Sequence, residues 1–261
     1  MIDLRRRDGR PLLVGHRGAA ALAPENTLRA FRAALAHGVD LIEFDVLDLP
    51  GGPLVLAHSD HLDEVSHGAA HGSVRARSLE ELREVAPELP TLDEALAFFA
   101  DEAPGVGLHV DLKLVTRLDE VASAIVGHGL EARTVVSSFH APSLRAVAAA
   151  SPRIRLGFTY PEDRFSISRR PRLWPAVAIG LSALRASVPA RVPRMLRRGG
   201  ATVLMLQHAL VTPAAVARAH ALGAPVFAWT VDDPADLARV EAAGVDGVIT
   251  NDPRIVSEQS L

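Results

Sequence analysis

A regular alternation of short apolar runs and helical patterns constrains the fold of this chain more than any other feature. Eight strand–helix units within 261 residues fit a (β/α)8 barrel. An open, doubly wound sheet is the alternative, but it would normally carry a glycine-rich phosphate loop, and the chain contains no G-x-G-x-x-G. The eight predicted strands are Leu12–Val14, Leu41–Leu47, Gly107–Leu114, Thr134–Phe139, Arg155–Tyr160, Thr202–Gln207, Val226–Val231 and Val248–Thr250.

The predicted helices follow recognisable start signals, and several end just before a glycine. The first starts after Pro24-Glu25-Asn26-Thr27, with Asn26 or Thr27 as its N-cap, and runs to His37. The other predicted helices are Leu79–Val85, Leu92–Phe99 with Thr91 as its cap, Leu118–His128, Pro142–Ala150, Pro213–Leu222 and Pro234–Ala243.

Two insertions interrupt the predicted barrel. Leu54–Ala57 follows a Pro-Gly-Gly-Pro turn too short for a crossover, so it should pair with the second strand as a β-arm, ahead of a long polar loop over 60–78. A basic helical insertion lies between the fifth and sixth strands. We therefore expect a single domain over residues 1–261. Catalytic groups of a barrel lie at the carboxyl ends of its strands, where this chain has His16, Asp45, Lys113, Ser138, Gln207, Trp229 and Asn251.

The second strand carries two carboxylates where a buried strand should carry aliphatic residues. Side chains alternate along a strand, so Glu43 and Asp45 share the face opposite Ile42, Phe44 and Val46. Two neighbouring carboxylates repel each other and need a cation. A pair of salt bridges to arginine is the simpler interpretation of this pattern.

The third strand repeats the arrangement, with His109, Asp111 and Lys113 on its inward face. Lys113 is the single lysine among 28 basic residues, which suggests that a compact ammonium group is needed at this position. The alternative is an Asp111–Lys113 ion pair that closes on itself.

Composition excludes several classes of function. The chain contains no cysteine, which rules out disulfides, thiolate metal sites and a cysteine nucleophile. The formal charge of −3 gives no sign of a nucleic-acid partner. No signal peptide follows the N-terminal arginines, and the longest uncharged apolar run, Leu173–Leu184, is shorter than a membrane span, so we expect a cytoplasmic protein.

Motifs in the same order along the chain resemble the glycerophosphodiester phosphodiesterase family. The first are His16-Arg17-Gly18, Pro24-Glu25-Asn26-Thr27, the stretch from Gly38 to Val46, and Val55-Leu56-Ala57-His58. The likeness continues through Asp111-Leu112-Lys113, Ser137-Ser138-Phe139, Trp229-Thr230-Val231 and the stretch from Gly247 to Pro253. It implies a TIM barrel that hydrolyses glycerophosphodiesters to an alcohol and glycerol 3-phosphate, with one divalent metal ion and two histidines.

The resemblance also implies a role for each matching residue. The implied metal ligands are Glu43, Asp45 and Asp111. The implied acid–base pair is His16 and His58, and the implied phosphate-binding residues are Arg17 and Lys113. Trp229 would line the glycerol or head-group pocket, although packing alone would also explain it. Oxygen ligands suit Mg²⁺ or Ca²⁺, and imidazoles, with an unperturbed pKa of about 6.5, can accept and donate protons near neutral pH.

Two positions depart from the family pattern. Asp111 stands where the family usually has glutamate, and the related sphingomyelinase D enzymes share this Asp-x-Lys, which leaves a phospholipase D activity open. Ser59 stands where the family tends to have aspartate directly after the second histidine, with Asp60 next. The group that orients His58 is therefore open.

Nine arginines and no acidic residue occur between Arg164 and Gly200. An apolar helix flanked by arginines suits the surface of an anionic membrane, so peripheral membrane contact through 164–200 is one hypothesis. An ordinary barrel helix is the other. Three functions follow: a metal-dependent glycerophosphodiester phosphodiesterase, a lysophospholipase D or phospholipase D acting on a lipid, and a silent barrel that binds phosphorylated ligands.

Overall fold

The computed structural model describes residues 2–162 and 174–260, with the backbone alone for 174–179 and 257–260. The described strands form one sheet of nine. They are β1 Leu12–Gly15, β2 Leu41–Asp48, β3 Leu54–Leu56, β4 Gly107–Leu112, β5 Thr134–Ser138, β6 Arg155–Tyr160, β7 Val203–Gln207, β8 Val226–Trp229 and β9 Gly247–Thr250. The described α-helices are α1 Leu28–Ala36, α2 Leu62–Val65, α3 Leu79–Val85, α4 Leu92–Asp101, α5 Leu118–Gly127, α6 Ala141–Ala150, α7 Trp174–Gly199, α8 Pro213–His220 and α9 Pro234–Ala242.

Eight of these strands close into a parallel barrel. They follow one another in chain order, β1 pairs with both β9 and β2, and β3 alone lies outside the ring. β3 pairs with β2 in the antiparallel direction, with Val46 opposite Leu56. The predicted (β/α)8 barrel and the β-arm after its second strand are therefore confirmed.

Two layers of apolar side chains fix the barrel. The larger core lies between strands and helices and includes touching rings of Phe31, Phe44 and Phe99. The smaller one fills the inside of the barrel and contains Leu4 from the N-terminal segment. Ile2 donates its backbone N–H to Ala132 O at 2.7 Å, which ties this segment to the chain just before β5. Since β5 starts at Thr134, this plug closes the amino-terminal end of the strands, and the carboxyl ends remain for a site.

Local signals set most helix ends. Thr27, one of the two predicted caps of α1, accepts the backbone N–H of Ala30. Thr91 caps α4, as predicted, in a reciprocal capping box with Glu94. After β9 a 3₁₀ helix, Pro253–Ser260, takes the place of an α-helix.

The predicted polar loop over 60–78 is more ordered than expected. It contains α2 and a 3₁₀ turn at Val74–Ala76. Leu62 and Val74 are fully buried in a separate apolar cluster with β3 and α3, and this burial holds the segment. Polar composition hid these two anchors from the sequence pattern.

The basic insertion and the barrel helix that follows it are one element. α7 contains Pro189 and Pro193 and spans 26 residues, or about 39 Å. Its C-terminal half packs on the barrel through Val188, Val192 and Met195. Leu181 and Leu184 of the N-terminal half are partly buried against the same core. Because α7 follows the carboxyl end of β6, its N-terminal half lies on the side where the strands end. Arg164, Arg169, Arg170 and Arg172 lie outside the described residues.

Across the described ranges, no helix has both the length and the apolar character needed to cross a membrane.

Candidate active site

The side chains singled out in the sequence meet in one cavity of about 130 Å³ at the carboxyl ends of the barrel strands. His109, Ser137 and Phe139 line the same cavity. The structure thus brings every predicted site residue together, while the chemical roles stay predictions. The predicted residues that line it are His16, Arg17, Glu43, Asp45, His58, Asp111, Lys113 and Trp229.

Strand alternation places the two carboxylates of β2. Ile42, Phe44 and Val46 pack into the outer core against the helices, so Glu43 and Asp45 face inward. The parallel register sets Asp45 beside Asp111 on β4. The two neighbouring strands therefore deliver three carboxylates to one end of the barrel, with Glu43 one inward-facing position before Asp45.

Asp45 is the most heavily bound of the three. Asn26 donates to its Oδ2 at 2.9 Å and accepts its backbone N–H at 3.0 Å. Lys113 Nζ lies 3.1 Å from Oδ1, and Arg17 Nε lies 3.1 Å from Oδ2. Burial opposes ionisation, but Lys113 and Arg17 outweigh it and hold the pKa of Asp45 well below its usual range. The simpler interpretation of an arginine salt bridge thus holds for Asp45.

Arg17 owes its position to an unusual backbone. Its φ of +51° is in the left-handed region, and Gly18 follows with φ +88°. A Cβ on Gly18 would come within 2.6 Å of the Ala30 backbone, so only glycine fits there. The Arg17 backbone N–H donates to Glu43 at 2.8 Å, and its guanidinium donates to Glu25 at 2.8 Å. The loop therefore fixes both the amide and the charge of Arg17.

Lys113 stands between two carboxylates. Its Nζ lies 2.6 Å from Asp111 Oδ2 and 3.1 Å from Asp45 Oδ1. Burial would lower its pKa, but the two carboxylates outweigh burial and raise it. The ion pair between Asp111 and Lys113 considered from the sequence is present, yet the same ammonium also joins β2 to β4.

His16 is held by a side-chain amide. Its Nδ1 lies 2.6 Å from Asn251 Oδ1, and Asn251 Nδ2 donates to Asp232 at 2.6 Å. Because the amide oxygen only accepts, His16 must carry its proton on Nδ1 and leave Nε2 free as an acceptor. Burial, and then Arg17, lower the pKa of His16 to about 4, so the ring is neutral at pH 7.

His58 is held by a carboxylate. Its Nδ1 lies 3.4 Å from Glu64 Oε2, and Ser59 donates to that same oxygen at 2.7 Å. Asp60 instead accepts from Ser73 and from the Arg75 backbone, so it does not orient His58. The carboxylate beside His58 therefore comes from Glu64 on α2, and the chain has no aspartate directly after the histidine. Burial lowers the pKa of His58.

The pKa of Glu43 bears on whether the cavity suits a cation. Burial, followed by Asp45 and Asp111, raises its pKa well above the usual value. A bound cation relieves this kind of repulsion, and oxygen donors fit Mg²⁺ or Ca²⁺. Within the described chain, no three acidic or histidine side chains already surround one point, since Lys113 stands between Asp45 and Asp111. The donor set fits the ion by its chemistry.

Trp229 forms one apolar wall of the cavity with Phe139. The rings meet edge to face with centroids 5.9 Å apart, and Lys113 Nζ lies 5.9 Å from the Phe139 centroid. Trp229 Nε1 is buried and has no hydrogen-bond partner among the residues described. The pair shapes the side of the cavity nearest β5 and β8.

Sequence reasoning missed several residues that support the site. Asn26 was interpreted as helix capping, although it binds Asp45 from two sides. Glu64 lay in a predicted loop and Asp232 carried no pattern of its own. The sequence places His109 on an inward strand face and Asn251 at a strand end, but it gives neither a role in the site. The supporting residues without a predicted role in the site are Asn26, Glu64, His109, Ser137, Asp232 and Asn251.

A family model described as the glycerophosphoryl diester phosphodiesterase family matches residues 16–255. The chain is 29% identical over 256 residues to a glycerophosphodiester phosphodiesterase of Caldanaerobacter subterraneus, covering 93% of this chain and 94% of that protein. A glycerophosphodiester phosphodiesterase of Bacillus altitudinis is 25% identical, with 92% and 94% covered. Among solved structures, an Oleispira antarctica phosphodiesterase in complex with the product sn-glycerol-3-phosphate has a TM-score of 0.72 at 23% identity, covering 96% of this chain and 97% of that one.

Proposed function

The chain belongs to the glycerophosphoryl diester phosphodiesterase family, a family of phosphoric diester hydrolases, and from this premise we propose that it hydrolyses glycerophosphodiesters to an alcohol and glycerol 3-phosphate. The observation that carries the proposal is the one cavity in which His16, His58, three carboxylates and two partly buried cationic side chains meet. The family match includes all of these residues.

Glu43, Asp45 and Asp111 are the residues that would hold one divalent cation, Mg²⁺ or Ca²⁺. The raised pKa of Glu43 and the all-oxygen donor set support this assignment. When bound, such an ion would neutralise negative charge on the phosphate oxygens.

Arg17 and Lys113 would bind the phosphodiester. Both are partly buried cations at the cavity wall, and each is already oriented by carboxylates, so little reorganisation is needed when the anion arrives. Arg17 offers a planar fork to two phosphate oxygens, and Lys113 offers a compact charge to one. Charge that builds up on phosphorus-bound oxygens would be stabilised by both.

His16 is the better candidate for the general base. Asn251 fixes its proton on Nδ1, and Nε2 is therefore free to accept the proton of an attacking hydroxyl. That hydroxyl is either the substrate's own glycerol hydroxyl, which would give a cyclic phosphate opened later by water, or water itself. Asn251 and Asp232 act as positioning residues in this scheme.

His58 is the better candidate for the general acid. Its carboxylate partner, Glu64, favours the charged imidazolium that must donate a proton to the leaving alkoxide. Burial lowers the pKa of His58 and so disfavours the imidazolium. The negative charge of a bound phosphodiester would raise this pKa again and favour the imidazolium. The amide behind His16 and the carboxylate behind His58 support different proton roles for the two rings.

Trp229 and Phe139 would line the pocket for the glycerol moiety or the head group. They form the apolar wall of the cavity, and Lys113 at its edge would hold the phosphate beside it.

Lysophospholipase D-type hydrolysis of a lipid is the second candidate. The position of α7 favours it, because α7 follows the carboxyl end of β6 and its N-terminal half therefore lies on the catalytic side of the barrel. In the sequence that half belongs to an uncharged apolar run followed by arginines. We propose that it makes peripheral contact with an anionic membrane, within the segment 164–200.

Phosphorus NMR of the products separates the candidates. The purified protein is supplied with Mg²⁺ and is given glycerophosphocholine in one reaction and lysophosphatidylcholine in another. Glycerol 3-phosphate from the first substrate is the expected result, and lysophosphatidic acid from the second would support the lipid activity. No turnover of either, with Mg²⁺ or Ca²⁺, would contradict the proposal and favour a barrel that only binds phosphorylated ligands.

A further inference from the structure

A line of three buried side chains ends on Asp111. Ser137, on β5, donates its hydroxyl to Asp111 Oδ1, and its Oγ lies 2.8 Å from His109 Nε2. The residues are 6% exposed for Asp111, 0% for Ser137 and 3% for His109. The register of β4 and β5 places Asp111 directly beside Ser137, so the contact is built into the barrel.

The two hydrogen bonds in this line can have only one donor–acceptor direction. A serine hydroxyl has one proton, and here it goes to the carboxylate, so Ser137 Oγ must accept from His109. His109 therefore carries its proton on Nε2 and leaves Nδ1 bare. Nδ1 is buried and without a hydrogen-bond partner in the described ranges. The His109 ring therefore donates its one hydrogen bond to Ser137, and Ser137 in turn donates to Asp111.

We propose that Ser137 and His109 are positioning residues that hold the Asp111 carboxylate in one orientation within the proposed metal site, an inference that rests on the proposed function. Ser137 holds Oδ1 from the neighbouring strand, and Lys113 Nζ contacts Oδ2 at 2.6 Å on the side of the cavity. A carboxylate held at one oxygen cannot rotate without breaking that bond, so its second oxygen stays aimed into the site.

The short side chain of Asp111 explains why such a device matters here. Aspartate reaches one methylene less far than glutamate, so it has less freedom to compensate for a rotation of its carboxylate. Holding Oδ1 from β5 keeps the shorter side chain in the orientation that it has at the cavity wall.

Calorimetric titration of the purified protein with Mg²⁺, and then with Ca²⁺, tests the proposal. Ser137→Ala should weaken metal binding by about 10–100-fold, the usual effect of losing a group that orients a metal ligand. Ser137→Thr keeps the hydroxyl and should bind metal nearly as the wild type does. Ser138→Ala is the matched control, since Ser138 is buried on the same strand but accepts from the His140 backbone. A purely structural serine would alter melting temperature and leave metal affinity unchanged.

Nitrogen-15 NMR of the histidine rings, without metal and at neutral pH, gives a second reading. His109, assigned by its loss in His109→Gln, should show a protonated Nε2 and a bare Nδ1. The opposite tautomer would overturn the line of hydrogen bonds. Wild-type metal binding with unchanged affinity in Ser137→Ala would overturn the positioning role alone. A wild type that binds neither Mg²⁺ nor Ca²⁺ would overturn the proposed metal site as well.

Discussion

At the scale of single residues, the two histidines should be separable from the metal site. His16→Ala and His58→Ala should each lower kcat by about 10²–10⁴-fold, the usual range for a positioned acid or base. Metal affinity should survive in both variants, because the proposed ligands are carboxylates. Steady-state kinetics and metal titration of the same preparations check the two statements.

His128→Ala is a suitable control for the histidine variants. His128 contacts Asp93 at the protein surface, away from the cavity, and its loss should leave kcat unchanged. If His16→Ala or His58→Ala retained near-wild-type turnover, that histidine would not be the acid or the base.

His109 should make the metal-free protein sensitive to mild acid. Burial is the main cause that lowers its pKa to about 4 in the folded state, against about 6.5 when unfolded. Between these values the unfolded chain binds more protons, so stability is full above pH 6.5 and falls as pH falls towards 4. The His109 contribution lost at pH 5 is on the order of 1–2 kcal/mol.

Urea unfolding of the EDTA-treated protein at pH 7 and pH 5 measures this loss. His109→Gln cannot titrate there, so the variant should lose less stability than the wild type between the two pH values. Equal losses would mean that His109 is protonated in the folded protein or is not buried.

At the scale of elements, α7 should contact anionic membranes through its N-terminal half. The protein should co-sediment with phosphatidylglycerol vesicles at low salt, remain free with phosphatidylcholine vesicles, and be released as salt screens the charges. Ala183→Glu adds a negative charge at an exposed position of that half and should weaken binding.

Ala190→Glu is the matched control for this prediction. It makes the same change at an exposed position of the same helix, within the half that packs on the barrel through Val188 and Val192. Equal recovery of the wild type with neutral and anionic vesicles would leave α7 as an ordinary barrel helix.

Elements were predicted well where one pattern filled a whole segment. β2 and β4 have strong strand periodicity, and α4 has helical periodicity and a capping signal. The bounds of all three differ from the predicted ones by at most two residues. α2 was missed because a four-residue helix with one buried leucine has too little periodicity to detect. That omission mattered for function, since α2 carries Glu64.

At the scale of the whole molecule, a divalent ion should support both activity and stability. Chelation should abolish hydrolysis, and Mg²⁺ or Ca²⁺ should restore it. A ligand that binds only the folded state stabilises it by about 2.7 kcal/mol at roughly 100 times Kd, which calorimetry would detect as a raised Tm. Asp45→Asn should reduce metal affinity and this stabilisation together.

Asp48→Asn makes the same change on the same strand and serves as control. Asp48 binds Arg75 and is not a proposed ligand, so its metal response should match that of the wild type. Full activity in excess EDTA would contradict the metal assignment.

The sequence by itself determined the barrel and eight of the residues that line the cavity. Strand periodicity, strand order and the position of polar residues at strand ends are local properties, and a closed parallel barrel turns them into one site. The partners of those residues were decided only by the tertiary structure. Asn251 reaches His16 across the closure between β1 and β9, Glu64 reaches His58 through an insertion, and Ser137 reaches Asp111 by strand register. Such contacts depend on which distant segments become neighbours, and one chain's local pattern does not encode that.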